Sequence, residues 1–270
     1  MAAATTLPAS ITPWKHDLKI AALLGAVSAM AVVAVFPYLV QIMPEKFEKL
    51  PVSITVLAIA QSVQALVMLG LMSLAGLRMG HRVGLGAPLL QHWLNRQPLE
   101  DDSPRPLQAI VIGIAVALAI LALSGLIDPL LPEMRNPPAE ADAAKSALNG
   151  LLASFYGGIV EELQLRLFLM TLLVWLVARL RKSMPPPAVY WAAIVIAALL
   201  FGAGHLPVAN TIWGLDAIVV LRTLLLNAIA GLAFGWLYWK RGLEMAIVAH
   251  FSADIVLHVV TPLVSGGAGP

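Results

Sequence analysis

Seven long apolar stretches divide the chain, and they constrain its fold more than any other feature. Crossing the roughly 30 Å hydrocarbon core of a bilayer takes about 20 apolar residues in a helix. We expect all seven to be helices, because only helices and closed barrels satisfy their own backbone polar groups in lipid. The sequence therefore predicts an all-α, polytopic membrane helical bundle with about seven or eight transmembrane helices. The predicted spans are Leu18–Met43, Val52–Leu77, Pro106–Leu130, Ala147–Leu180, Ala188–His205, Leu215–Trp239 and Leu243–Val260.

The composition agrees with a membrane protein and excludes several classes of site. Apolar residues make up 60% of the 270 positions and charged residues only 12%, too little polar surface to cover a soluble domain of this size. The net charge of +2 argues against nucleic acid as a partner. The chain has no cysteine, which excludes disulfides, thiolate metal sites and cysteine nucleophiles.

Basic residues in the connecting segments predict the orientation of the chain. By the positive-inside rule, the larger group of loop lysines and arginines is cytoplasmic. This predicts a multi-pass protein of the cell inner membrane, with a cytoplasmic N-terminus and an external C-terminus. The mixed segment 78–105 predicts an amphipathic interfacial stretch that could hold a short eighth element. The larger group is Lys15, Lys19, Arg78, Arg82, Arg96, Arg105, Arg179, Arg181, Lys182, Lys240 and Arg241, and the smaller is Lys46, Lys49, Arg135 and Lys145.

The fourth predicted span carries two adjacent glutamates and an arginine in "GGIVEELQLRLFLM". Charges inside a membrane are costly and are functional candidates. Glu162 and Arg166 lie four apart, so they stack on one helical face with the acid first, the favourable order. Glu161 points elsewhere without a partner on its own helix, which suits a general base. The alternative is structural: both glutamates pair with arginines, Arg166 and Arg222, to hold the bundle together.

Histidines on two later spans supply further candidates. His205 follows Phe201 by one turn, although a lone histidine at a helix end also suits a helix interface. In "AIVAHFSADIVLHVV", His250, Asp254 and His258 recur every four residues and line one face. Such a stripe should face protein or water. Its structural alternative is hydrogen bonding between helices.

These motifs, in this order, resemble those of the CPBP intramembrane proteases, which include the CAAX prenyl protease (Rce1-type) enzymes and bacteriocin-processing and immunity relatives. "EELQLR" is similar to EExxxR, "FGAGH" to FxxxH, and "HFSAD" to HxxxN with aspartate in place of asparagine. The resemblance covers about the C-terminal half of the chain. It divides the chain into N-terminal transmembrane helices with a cytoplasmic tail and the interfacial segment (1–146), a catalytic helical core (147–262) and a short tail (263–270).

The resemblance implies hydrolysis of a peptide bond in a peptide or membrane-associated protein substrate. Glu161 would activate a water held by His205, and Glu162 with Arg166 would set the electrostatics of the site. His250 and the residue at 254 would stabilise the oxyanion. Because an ionised aspartate cannot donate a hydrogen bond, we expect Asp254 to orient His250 through a carboxylate–histidine hydrogen bond.

A metal-free glutamate mechanism is the prediction, and a zinc site built from Glu161, His205 and His250 is the alternative. No HExxH motif is present. Two other functions remain as alternatives: a transporter that uses the same charges as an ion relay, and an inactive scaffold that binds a partner's helix.

The depth of the site is a further expectation. Glu161 lies about 27 Å along its helix from Arg179, at 1.5 Å per residue, whereas His250 lies close to the start of its own span. Either the fourth span extends past the bilayer or tilts, or the turn before the seventh span dips inward.

Overall fold

The computed structural model of the protein describes residues 12–99 and 105–266. Every regular element in these ranges is helical, and seven of the helices are long and apolar enough to cross a membrane. This confirms the predicted polytopic bundle. Residues 1–11 of the predicted cytoplasmic tail and residues 267–270 of the predicted C-terminal tail lie outside the described residues. The seven spans are Trp14–Ile42, Ile54–Gly80, Pro106–Leu130, Ala143–Arg181, Pro187–Ile212, Ala217–Arg241 and Leu243–Ser265.

Local chemistry sets several of the helix boundaries. The Ser53 hydroxyl accepts a hydrogen bond from the backbone N–H of Val56 and caps the second span. Asp216 caps the sixth span in the same way, accepting from two backbone N–H groups. Between the sixth and seventh spans, Gly242 adopts a φ of 89°, which lets the chain reverse within one residue. The first span bends at Val35, just before Pro37, into the segments Trp14–Ala34 and Phe36–Ile42.

The predicted extra element in 78–105 is the short helix Pro88–Asn95. Its eight residues are too few to cross a bilayer. The buried carboxylate of Glu244, at the start of the seventh span, accepts a 2.8 Å hydrogen bond from the backbone N–H of Leu90. The backbone N–H of Leu243 also donates to the carbonyl of Gly86. These two bonds dock the short helix against the start of the seventh span.

Glycines allow the fifth and sixth spans to pack closely. A Cβ atom at Gly231 would lie 2.7 Å from the Cα of Ala198, and one at Gly235 would lie 3.0 Å from the Ile194 side chain. Both neighbours belong to the fifth span, so this GxxxG pair joins helices within the bundle.

The fourth span is the longest of the seven, with 39 residues, and it departs from α-helical geometry near its middle. The segments Tyr156–Glu161 and Leu163–Met170 are π-helical. The Thr171 hydroxyl donates to the carbonyl of Arg166, five residues earlier. π-Helical turns inside α-helices are rare and are frequent at functional sites.

The length of the fourth span resolves the expected mismatch in depth. Gly76, four residues before the end of the second span, packs directly against Leu167, which is fourteen residues before the end of the fourth. The fourth span therefore continues well past its neighbour, and Leu180 near its tip is 84% exposed. Extension of this helix brings Glu161 to the depth of His250.

Candidate active site

Three spans meet around the carboxylate of Glu161. One of its oxygens lies 3.9 Å from Nε2 of His205 on the fifth span, and the other lies 3.7 Å from Nε2 of His250 on the seventh. The Glu161 side chain is 18% exposed, whereas His250 is nearly buried at 6%. The structure thus brings together the three residues that the sequence placed on separate spans.

Hydrogen bonds fix which nitrogen of each imidazole carries a proton. Nδ1 of His205 donates to the backbone carbonyl of Phe201 at 2.9 Å, because a carbonyl can only accept. Nδ1 of His250 donates to the carboxylate of Glu162 at 2.7 Å. Both rings therefore turn their Nε2 atoms toward Glu161, and these atoms are the ones available for chemistry.

The carboxylate of Glu162 is shared between two partners. Its Oε1 atom accepts from His250 and lies 3.0 Å from Nη1 of Arg166, so the predicted Glu162–Arg166 pair is present. Glu162 is 0% exposed and Arg166 is 1% exposed. A second guanidinium nitrogen of Arg166 donates to the carbonyl of Gly231 at 3.3 Å. The bond from Glu162 to His250 was missed at the sequence level, because spacing along one helix does not report contacts with another.

Two phenylalanines enclose the charged groups. The Arg166 guanidinium lies 5.3 Å from the ring centroid of Phe201 and 5.8 Å from that of Phe234. The His250 ring stacks on Phe234 at 4.7 Å with an interplanar angle of 26°. These ring contacts favour a positive charge on Arg166 and on His250, and they hold the His250 imidazole in place. The sequence analysis did not identify Phe234, and its only signal was its place inside the GxxxG segment "GLAFG".

The hydrogen bond expected between Asp254 and His250 is not formed in this structure. The Oδ1 atom of Asp254 lies 3.7 Å from Nε2 of His250, beyond hydrogen-bonding distance. The two side chains share a helical face, but the Nδ1 edge of the ring is already held by Glu162. Asp254 instead borders the open space in front of Nε2. Gly157 keeps that space clear, since a Cβ there would clash with the Asp254 carboxylate and lie 3.1 Å from Nε2 of His250.

Arg222, proposed in the structural alternative as a partner of the glutamates, pairs with Asp128 instead. The two side chains form a bidentate ion pair, with N···O distances of 2.5 and 3.0 Å. Asp128 lies at the end of the third span, which the charge pattern of the fourth span could not indicate. Arg166 is therefore the arginine that contacts the site glutamates.

The site opens into a cavity of about 760 Å³. One part of its wall carries the polar groups of the fourth, fifth, sixth and seventh spans. The part that comes from the first and second spans and from the helix Pro44–Glu48 between them is mostly apolar. All three residues of the predicted stripe on the seventh span contribute to it. Its polar lining includes Tyr38, Gln61, Tyr156, Glu161, Gln164, His205, Arg222, Asn227, His250, Asp254 and His258, and its apolar lining includes Val32, Phe36, Leu39, Phe47 and Leu57.

In the alternative zinc set, the Glu161 carboxylate oxygens lie 3.9 and 3.7 Å from Nε2 of His205 and of His250. Within 12–99 and 105–266, no group of three or more histidine, aspartate or glutamate side chains is placed to hold an ion. Zinc takes nitrogen and oxygen ligands at about 2.0–2.2 Å that converge on one point. We therefore derive no step through a metal, and the dependence of activity on metal stays a prediction.

A family model described as type II CAAX prenyl endopeptidase Rce1-like matches residues 143–256. This part of the chain is similar to the Rce1-like family. The Rce1-like segment contains Glu161, His205 and His250 together with Glu162, Arg166 and Asp254, and the family match confirms the resemblance that the motifs indicated. The Rce1-like family implies a CAAX-type intramembrane endopeptidase. No curated protein and no solved structure matches the chain.

Proposed function

We propose that the protein is an intramembrane endopeptidase in which Glu161 activates the attacking water. The observation that carries this proposal is the position of the Glu161 carboxylate, which faces the Nε2 atoms of His205 and His250 at 3.9 and 3.7 Å inside a cavity. These distances are too long for direct hydrogen bonds, yet a single water can contact both polar atoms of such a pair. The gap is therefore suited to a water held between a carboxylate and an imidazole.

In the proposed reaction, Glu161 removes one proton from this water as the water oxygen attacks the scissile carbonyl carbon. Nε2 of His205 accepts a hydrogen bond from the same water and orients it. The carbonyl π bond breaks and leaves a tetrahedral oxyanion. The C–N bond then breaks, and the proton held by Glu161 passes to the leaving amine. The products are a carboxylic acid, which keeps the second proton of the water, and a new amine. The acid then loses that proton to the amine or to solvent and becomes a carboxylate, and Glu161 is ionised again.

His250 is the proposed oxyanion donor. When protonated, the ring donates Nδ1–H to Glu162 and has Nε2–H free to donate to the oxyanion. The buried Glu162 carboxylate stabilises that imidazolium, and Arg166 balances the charge of Glu162. One oriented donor of this kind contributes about 3 to 4 kcal/mol to transition-state stabilisation in other hydrolases. Asp254 borders the same space, and we propose that it acts together with His250 at the position of the oxyanion.

The proposed substrate is a peptide or a membrane-associated protein. The apolar wall formed by the first and second spans suits the apolar part of a substrate that enters from lipid. We propose that the protein acts in the cell inner membrane with its N-terminus in the cytoplasm, as the distribution of basic residues indicates.

Comparative membrane proteomics tests the proposed function. Membranes from cells with the wild-type protein would be compared with membranes from cells with Glu161→Gln, which keeps the shape of the side chain and removes the base. We expect an uncleaved precursor to accumulate with Glu161→Gln. Glu133→Gln, a loop substitution outside both the cavity and the matched motifs, is the control. Identical protein profiles for all three would contradict the proposal.

A further inference from the structure

A second cavity of about 690 Å³ lies beside the loop 131–142 at one end of the bundle. We name it the vestibule, and its polar lining comes from Gln41, Glu140, Asp142 and Ser146. The loop is fixed over the bundle at two points. The backbone N–H of Ala139 donates to the Gln41 carbonyl at 2.8 Å, and the loop also bonds to the last turn of the fifth span. The vestibule therefore has a defined wall.

The vestibule and the catalytic cavity share part of their lining. Tyr38, Ile42, Leu257 and His258 contribute to both. The rings of Tyr38 and His258 meet edge to face, with centroids 5.5 Å apart and an interplanar angle of 67°. This pair of aromatic side chains forms the polar part of the boundary between the two spaces.

The polar atoms of this pair are left for water. Within the part of the chain that the structure describes, neither the Tyr38 hydroxyl nor the His258 ring nitrogens have a hydrogen-bond partner. Both side chains are only half-buried, and each opens into the two cavities. Polar groups at such a boundary are satisfied by solvent, which requires a cavity with room and several polar partners.

His258 also continues the polar line that leads to the site. It lies four residues beyond Asp254, which in turn lies four residues beyond His250, and all three line the catalytic cavity. The segment Ile255–Val260 is π-helical, and the backbone at His258 packs directly against Gly150. The wall formed by the first and second spans is mostly apolar, with Tyr38 and Gln61 as its polar residues. Asp254 and His258 therefore provide a polar connection from the site toward the vestibule.

Hydrolysis consumes one water for each bond cleaved, so the following inference rests on the proposed function. We propose that the vestibule supplies water to the catalytic cavity, and that Tyr38 and His258 are positioning residues that pass this water across the boundary. The ligand of this second site is water itself.

The absence of cysteine in the chain allows a direct test of this path. A single cysteine introduced as Ala153→Cys, in the wall of the catalytic cavity, would be reacted with a small charged methanethiosulfonate in a Glu161→Gln background. A second substitution, Ala141→Trp, fills the vestibule, and Glu133→Trp on the same loop is its matched control. A thiol reacts as the hydrated thiolate. Because the Ala141→Trp side chain blocks the proposed water path to position 153, we expect it to slow the reaction there by about tenfold. An unchanged rate would overturn the proposal.

The second measurement is the catalytic rate of protein whose vestibule is blocked only after it has folded. Ala141→Cys and its control Glu133→Cys would be purified and then labelled with a bulky thiol reagent that a reductant can remove. We expect labelled Ala141→Cys to lose about fivefold in kcat with little change in KM, and to recover after reduction. A loss equal to that of labelled Glu133→Cys would contradict the proposal.

The polar groups of the boundary can be removed without removing its rings. Tyr38→Phe with His258→Phe keeps the edge-to-face contact, and we expect it to lower both kcat and the reaction rate at position 153. Unaltered values would remove the pair from the water path. The labelling rate does not depend on catalysis. If the wild-type enzyme cleaves no substrate, the proposed function fails, while the labelling rates still decide whether the vestibule leads to the cavity.

Discussion

The carboxylate of Glu162 on the fourth span accepts a 2.7 Å hydrogen bond from Nδ1 of His250 on the seventh. The same oxygen lies 3.0 Å from the guanidinium of Arg166. One buried carboxylate thus holds both the proposed oxyanion donor and a buried cation. This arrangement makes the position of His250 depend on a residue that does not itself face the reacting water.

Removing one member of the Glu162–Arg166 pair should destabilise the protein, because the other is left as an uncompensated buried charge. We expect Glu162→Gln or Arg166→Gln alone to cost about 3 to 5 kcal/mol. A double-mutant cycle read by thermal unfolding in detergent should show coupling of at least about 1 kcal/mol. The exposed pair Glu45 and Lys49, 3.1 Å apart, is the control and should show little coupling. Additive effects at Glu162 and Arg166 would mean that the two do not stabilise each other.

Gly157→Ala should impair catalysis more than folding. The added methyl group would press on the Asp254 carboxylate and occupy the space in front of Nε2 of His250. We expect cleavage of a reporter peptide to fall at least about tenfold, because small displacements of reacting groups are costly. Gly125→Ala is the control, since a Cβ there meets open space. Equal activity of the two variants would show that the space beside Gly157 is not used.

Asp254→Asn separates charge from hydrogen bonding on the oxyanion side. The resemblance indicates that asparagine is the commoner residue here, and an amide can donate to an oxyanion whereas an ionised carboxylate cannot. Since Glu162 already holds His250, we expect Asp254→Asn to keep activity within about threefold of wild type. Asp254→Leu removes both properties and should be clearly slower. If Asp254→Asn lost tenfold or more in activity, the negative charge of Asp254 would be required for catalysis.

Much of the fold could be predicted because lipid leaves few structures available to a chain. The seven apolar stretches became seven spans, with ends shifted by a few residues. The pair Glu162 and Arg166 was predictable because both lie on one helix at a spacing of four. The motif order also placed Glu161, His205 and His250 in one family pattern, and their meeting in space follows from it.

What could not be predicted depends on contacts between helices. Glu162 bonds to His250, and Arg222 pairs with Asp128 and not with a site glutamate. The packing of the spans decides which of these side chains come within bonding distance, and the sequence of one span does not show it. The expected hydrogen bond from Asp254 to His250 is not formed for the same reason, since Glu162 already bonds to the ring. The same limit applies to Phe234, whose ring position against His250 follows from the close approach of the fifth and sixth spans.

The metal-free mechanism predicts that activity survives exhaustive dialysis against a strong chelator. The purified active enzyme should carry far less than one equivalent of zinc, measured by elemental analysis. His205→Ala should lower activity without changing the metal content. If a chelator abolishes activity, zinc restores it and His205→Ala lowers bound zinc, the histidines are ligands and the mechanism is zinc-dependent.

The role of Glu161 as the base is tested by the rate at which purified Glu161→Gln cleaves a reporter peptide in proteoliposomes, measured beside wild type and the loop control Glu133→Gln. Glutamine keeps the shape of the side chain and cannot take a proton from water. We expect Glu161→Gln to be at least about 100-fold slower than wild type, the scale of general-base catalysis, and Glu133→Gln to be unchanged. Turnover by folded Glu161→Gln close to the wild-type rate would show that Glu161 is not the base.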